Sequence, residues 1–136
     1  MIKFSAAVLN ALLNAIEATI GTGAVVKWRT GAPPTNITDA DSGTVVATFT
    51  LPSDWMADAA SGVKAETGTW TCTGAAVPGG TVGHFRVYAS DGTTAHCQGT
   101  VTSTLVGTGD MLIDNPVIVA GQTCNLPTFT LTAPNA

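Results

Sequence analysis

The feature that most restricts the fold of this chain is a change of period at Gly23. Before it, apolar residues recur at helical spacing. After it, short runs rich in Thr and Val alternate in twos between Gly and Pro punctuation, and no second helical stretch follows. Leu9, Leu12, Leu13, Ile16 and Ile20 form an apolar stripe, read as lying opposite Asn10, Asn14 and Glu17. Ser5 is the expected N-cap, and Gly21 the left-handed residue that ends the helix. The stripe of Asn10, Asn14 and Glu17 breaks the apolar run too often for a signal-peptide core or a bilayer span. The segment is therefore expected to be an amphipathic helix that stays on the protein, packed on its own sheet or on a neighbouring subunit.

Beyond Gly23, Ala24 to Thr30 reads as a strand with Val26 and Trp28 on one face and Lys27 and Arg29 on the other. A turn-rich loop with Pro33 and Pro34 follows, then a strand with Val45, Ala47, Phe49 and Leu51 on one face. The stretch from Pro52 to Gly62 is a second loop, with room for one helical turn at Asp54 to Ala60. Trp70 and Cys72 point inward between Thr69, Thr71 and Thr73, and Thr100 to Gly107 extends the second arm of a central hairpin ahead of a short strand near Met111. A tight hairpin is expected about Ala120 to Gln122, and a last strand near Phe129. About eight short strands with turns between them predict a mainly β chain, an antiparallel β-sandwich or barrel with an N-terminal amphipathic α-helix. One domain is expected over residues 1–136, with 1–22 as arm and helix and 23–136 as the sandwich.

The central hairpin, Gly83 to Val101, holds both histidines, one cysteine and the only tyrosine. Alternation places Phe85, Val87 and Ala89 on one face and His84, Arg86 and Tyr88 on the other. Core must match core across the ladder, which favours a three-residue loop, Asp91-Gly92-Thr93, with Val87 opposite Cys97, Tyr88 opposite His96, and His84 opposite Thr100. The two histidines then stand roughly 13 Å apart along the ladder, too far to share one metal ion. Cys97 and its neighbour His96 face opposite sides, which does not make a nucleophile and base. The stretch reads as a hairpin, with the His84, Tyr88 and His96 face left as the place where a ligand would have to bind.

Only 10% of residues are charged and the net charge is −4, with Lys3, Lys27, Arg29, Lys64 and Arg86 scattered. No basic stripe exists to neutralise phosphates, so direct nucleic-acid binding is not expected. Cys72, Cys97 and Cys124 are far apart in sequence and odd in number, and are expected as buried thiols. Asp39 with Asp41, and Asp54 with Asp58, lie in turn-rich loops where Asp serves the backbone; the first pair lacks the bidentate Glu of a calcium loop. No catalytic constellation, metal site or cofactor site is expected, and the chain does not read as an enzyme. So few charges suit a subunit that hides surface in an assembly.

Three segments, GAPPTNITDADSGTVVATFTLPSDWM, GTVGHFRVYASDGTTAHCQGTV, and GDMLIDN followed by AGQT, together with the helix ending IEATIG, resemble a family of small phage and prophage virion proteins. That family is similar to the jelly-roll cement, or decoration, proteins of some tailed-phage capsids. The resemblance implies a jelly-roll β-sandwich, made in the host cytoplasm and bound to the outer surface of the head shell, often as a dimer or trimer, with the phage major capsid protein as partner. A tail- or fibre-associated or carbohydrate-binding β-sandwich is the alternative. The expected contact set is Ile2 and Phe4 of the N-terminal arm, the Pro33 and Pro34 loop, and the Trp55 and Met56 loop, because apolar residues in chain ends and loops are hard to bury at home. No membrane partner is expected.

Overall fold

The computed structural model describes residues 2–126 and 128–134; Met1, at the head of the expected arm, lies outside them. The chain is mainly β, 39% strand and 11% helix. Helix α1 (Ala6–Ile20) starts at Ser5, whose hydroxyl accepts from the Val8 amide, and ends at Gly21, where φ is 86° and the amide reaches the Glu17 carbonyl. Both caps are those the sequence predicts.

Among the described residues eleven short strands follow: β1 (Val25–Arg29), β2 (Val45–Thr50), β3 (Val63–Ala65), β4 (Trp70–Gly74), β5 (Gly80–Thr81), β6 (His84–Tyr88), β7 (Ala95–Ser103), β8 (Met111–Ile113), β9 (Val117–Ile118), β10 (Gly121–Leu126) and β11 (Thr130–Thr132). Five of them form a curled sheet in the order β2-β1-β6-β7-β8, and the rest pair as the ribbons β4–β10, β3–β11 and β5–β9. The sheet is mixed, not purely antiparallel, because β8 runs parallel to β7. A parallel neighbour normally needs a long crossover. Here residues 104–110 suffice, because the Asp110 carboxylate accepts from the amide and hydroxyl of Thr100 and the Thr102 hydroxyl accepts from the Gly109 amide, folding the return against β7.

One core joins the sheet to the ribbons. Val26, Trp28, Ala47, Phe49, Phe85, Val87, Val101, Met111 and Ile113 of the sheet pack with Trp70, Cys72, Cys124, Leu126 and Phe129. Gly99 belongs to this packing: a Cβ there would lie 2.7 Å from the Phe85 ring, which crosses the strand at that point. Aromatic edges pack within the sheet, Trp28 on Phe49 at 4.7 Å, and from the sheet outward, Phe85 on Phe129 at 5.8 Å between ring centres.

Several sequence expectations change in the fold. In β2 a bulge opposite Trp28 and Arg29 turns Val46 inward in place of Val45. The stretch Asp54 to Ala60 makes no helical turn and is tied instead by bridges from Met56 to Glu66 and from Ala60 to Val63. No hairpin forms about Ala120 to Gln122: β9 pairs with β5, and β10 crosses to β4. The segments are strands as expected, but pieces of two to six residues do not specify their partners locally.

Candidate functional site

The central hairpin keeps the expected register from His84 opposite Thr100 to Val87 opposite Cys97. It then departs. The ladder closes at Ala89 and Thr94, and Asp91 accepts from the amides of Thr93 and Thr94 at 2.8 Å, with Gly92 at φ 66°. The parity is restored by a bulge, so Tyr88 faces Ala95 and His96 is the extra residue. His84, Tyr88 and His96 therefore do not share a face: His84 and Tyr88 are buried, while His96 is exposed beside α1 in a depression of about 290 Å³ lined also by Leu12, Ala15, Ile16, Thr19 and Ile20.

All five residues of β6 are buried, where alternation predicts a solvated outer face. The cover is the loop 31–43, whose backbone carbonyls are the acceptors for the outward side chains of the sheet. Arg29 donates to the carbonyls of Ser42 (2.8 Å) and Gly43 (3.1 Å), and Arg86 to those of Ile37 (2.5 Å) and Asp39 (3.3 Å). Gln98 donates to the Pro34 carbonyl at 2.6 Å, and His84 Nδ1 contacts the Gly31 carbonyl at 2.9 Å. At the centre the Asp41 carboxylate takes Arg86 at 2.5 Å, Arg29 at 3.2 Å and the Tyr88 hydroxyl at 2.7 Å. Lys27 closes the far end, donating to the Gly92 carbonyl at 2.7 Å with its ammonium 4.8 Å over the Tyr88 ring.

The electrostatics follow from this packing. Burial alone would raise the Asp41 carboxyl, but the Tyr88 hydroxyl and the charges of Arg29 and Arg86 outweigh it and hold the carboxyl below its ordinary 3.8. Burial, then the hydrogen bond to Asp41, pushes the Tyr88 phenol up to about 12. Burial keeps His84 neutral, its pKa below the ordinary 6.5, and Arg29 and Arg86 add to the effect. Its Nε2 is buried with no partner among the described residues, so a second ring proton there would have no acceptor among them. Arg29, Arg86, Gln98, His84 and Tyr88 each make at least one bond to the loop or to Asp41, which makes the arrangement a clamp.

His84 has a measurable consequence. With its folded pKa depressed, the unfolded chain binds the proton first as pH falls below 6.5, so stability present above that value declines with acid until the folded pKa is reached. The urea midpoint of the wild type is expected to fall between pH 7 and pH 5, and His84→Asn to flatten that slope. Equal slopes in the two proteins would show that His84 does not titrate differently on unfolding.

A second surprise lies on α1. Asn10, Asn14 and Glu17 sit about a quarter turn from the buried row of Leu9, Leu13 and Ile20, not opposite it. They face the chain 56–64. Asn10 accepts from the Gly62 amide, Asn14 from the Ala59 amide, and Glu17 from the Met56 amide at 3.1 Å. Lys64, 1% exposed, pairs with Glu17 at 2.8 Å and donates to Asn14 and to the Ala57 carbonyl. The helix thus docks through its apolar row and its polar row together, and the third side, with Val8 and Leu12, is left to solvent.

The expected contact residues divide accordingly. Ile2 and Phe4 are 77% and 49% exposed, and Val8 and Leu12 at the start of α1 are half-exposed as well. Pro33 and Pro34 are half-buried where the loop crosses the sheet. Trp55 and Met56 are not surface residues. Each is 1% exposed, because Trp55 packs on Trp70 and donates to the Gly21 carbonyl while Met56 is bonded to Glu17 through its amide. Asp41 is committed to two arginines of the sheet, and Asp39 accepts from the amide of Asn36 within its own loop. Among the described residues no group of three His, Cys, Asp or Glu side chains is placed to hold a metal ion. A further apolar surface, which the sequence reading did not single out, carries Leu105 (96% exposed) and Val106 in the turn after β7, with Leu112 on β8.

The residues that sequence reasoning missed are Arg29, Arg86 and Lys64. A signal existed: Lys27, Arg29, His84 and Arg86 alternate onto one face of adjoining strands, and such a face needs an acid, which the next loop supplies in Asp41. Comparison with known protein families, characterised proteins and solved structures finds no match to this chain.

Proposed function

We propose that this chain is a structural virion protein, a decoration or cement subunit that binds the outer surface of a phage head through apolar contact area. The observation that carries the reading is the apolar side of α1 that is left exposed although the helix is docked. Its polar side chains are turned inward onto 56–64, while Ile2, Phe4, Val8 and Leu12 are left in water. An exposed apolar flank of this kind favours burial against a partner. The Leu105, Val106 and Leu112 surface gives a second place of contact. Each flank is small beside a standard interface of about 1,600 Å². Repetition over a closed lattice multiplies such weak contacts. The partner in this reading is the major capsid protein, with self-association into a dimer or trimer available to the same flanks.

In the same reading the fold is a β-sandwich of the jelly-roll kind, supported by the single core that the sheet shares with the ribbons. A tail or fibre position would use the same surfaces. A carbohydrate-binding role is less well supported, because Trp28, Trp55 and Trp70 are all buried and none offers a ring for a sugar to stack on. A catalytic role has no support in the Asp41 cluster, whose groups are bonded to one another.

Quantitative mass spectrometry of purified virions, separated into heads and tails, tests the role: hundreds of copies on heads are expected. A few copies on tails would move the assignment to a fibre, and absence from the particle would end it. The surface is tested separately. Leu12→Glu should leave the circular dichroism spectrum and melting curve unchanged and weaken attachment to shells by about 100-fold, since it sets a charge in an apolar contact. Undiminished attachment would remove the α1 flank from the contact set.

A further inference from the structure

We propose that Cys72 and Cys124 are a disulfide-forming pair, closed by exchange with a small-molecule disulfide. The two cysteines are 52 positions apart in the chain, yet the antiparallel β4–β10 ribbon sets them directly opposite one another. Both face the core and are buried. Side chains directly opposite in an antiparallel pair have Cβ atoms about 4.5–5.5 Å apart. A disulfide spans about 3.5–4.5 Å between Cβ atoms, so closure asks for a shift of about 1 Å. On the outer side of the ribbon, Thr71 bonds Asn125 at 2.9 Å and the hydroxyls of Thr73 and Thr123 meet at 3.3 Å, which holds the register that brings the sulfurs together. Cys97 lies on β7 opposite Val87, outside the ribbon.

In the closed fold neither thiol is reactive. Burial pushes Cys72 up to about 12, with the neighbouring Cys124 adding to it, and burial also raises Cys124. Exchange therefore proceeds while the ribbon is open, during folding or local unfolding. One cysteine thiolate attacks a sulfur of oxidised glutathione and releases one glutathione thiolate, leaving a mixed disulfide. The second cysteine loses its proton to solvent, and its thiolate displaces the other glutathione. The protein gives up two electrons and two protons, and one small disulfide becomes two thiols. The new bond closes a loop that contains β5 to β9, so it removes freedom from the unfolded chain.

The test is refolding of the full chain from denaturant in a glutathione redox buffer, followed by alkylation and mass spectrometry. Two of the three thiols should escape alkylation, with a loss of about 2 Da and a melting temperature higher by roughly 5–10 °C than that of the reduced protein. Trypsin cuts after Lys64 and Arg86, so Cys72 leaves on peptide 65–86 while Cys97 and Cys124 leave together on 87–136. The two peptides should be linked, and linked equally in Cys97→Ser and Cys97→Ala, two variants of which either is sufficient. Three alkylated thiols in the refolded protein would overturn the proposal, as would a link that disappears when Cys97 is replaced.

Discussion

Replacing Trp55 by alanine is expected to lower the melting temperature by about 15 °C, corresponding to a loss of about 4 kcal/mol. The indole is 1% exposed, packs edge-on against Trp70 with ring centres 6.0 Å apart, and donates to the Gly21 carbonyl at 3.1 Å. Truncation removes the buried ring, leaves a cavity beside Trp70, and strips the last carbonyl of the helix end of its donor. Phe in place of Trp keeps most of the volume and loses the hydrogen bond, so Trp55→Phe should cost about 1–2 kcal/mol. A thermal melt followed by circular dichroism separates this role from that of a surface contact. If Trp55→Ala melted with the wild type and lost only attachment to shells, the residue would belong to an interface after all.

The second large effect is expected at Asp41. Arg29 and Arg86 are both buried, and Asp41 is the one carboxylate that pairs with them among the described residues. Its removal leaves two guanidinium groups under the loop 31–43 with their charges uncompensated, and Tyr88 without its acceptor. Breaking a fully buried pair costs about 3–5 kcal/mol; because the Asp41 side chain is 33% exposed and water screens part of the charge, about 2–3 kcal/mol is expected for Asp41→Ala. The loss should be local before it is global. Hydrogen exchange is expected to speed up in residues 31–43 while Val26, Phe49 and Val87 stay protected. Acid should do the same to the wild type: with the folded pKa of Asp41 below 3.8, its contribution is present above that value and is lost as pH falls through the folded pKa. A variant whose loop exchanges at the wild-type rate would show that the carbonyl contacts alone hold the cover in place.

Both residues show why sequence reasoning stopped where it did. Trp55 stands in a stretch with no helical or strand period, and without periodicity a loop tryptophan reads as exposed. It is buried because Gly21 ends α1 above it and Trp70 lies beneath it, at 34 and 15 positions away. Asp41 was legible as a loop aspartate and no more, since its partners come from two strands. The bulge at His96 is similar: strand alternation gave the inward residues Val87 and Cys97 correctly, but a four-residue loop with a bulge satisfies the same parity as a three-residue loop without one.

What the sequence determined by itself is what short-range chemistry decides. The caps of α1, the inward faces of β1, β4 and β6, and the register from His84–Thr100 to Val87–Cys97 all follow from periodicity and turn residues within about ten positions. What only the tertiary structure decided is which pieces meet. The loop 31–43 became the outer layer of the sheet because that face carries buried cations needing acceptors. The polar row of α1 turned inward because the amides of Met56, Ala59 and Gly62 needed partners there. Cys72 met Cys124 because β10 found β4 and not β9. Strands of two to six residues carry too few side chains to choose a partner locally, so the choice falls to core packing and to the satisfaction of buried polar groups, both of which depend on the whole chain.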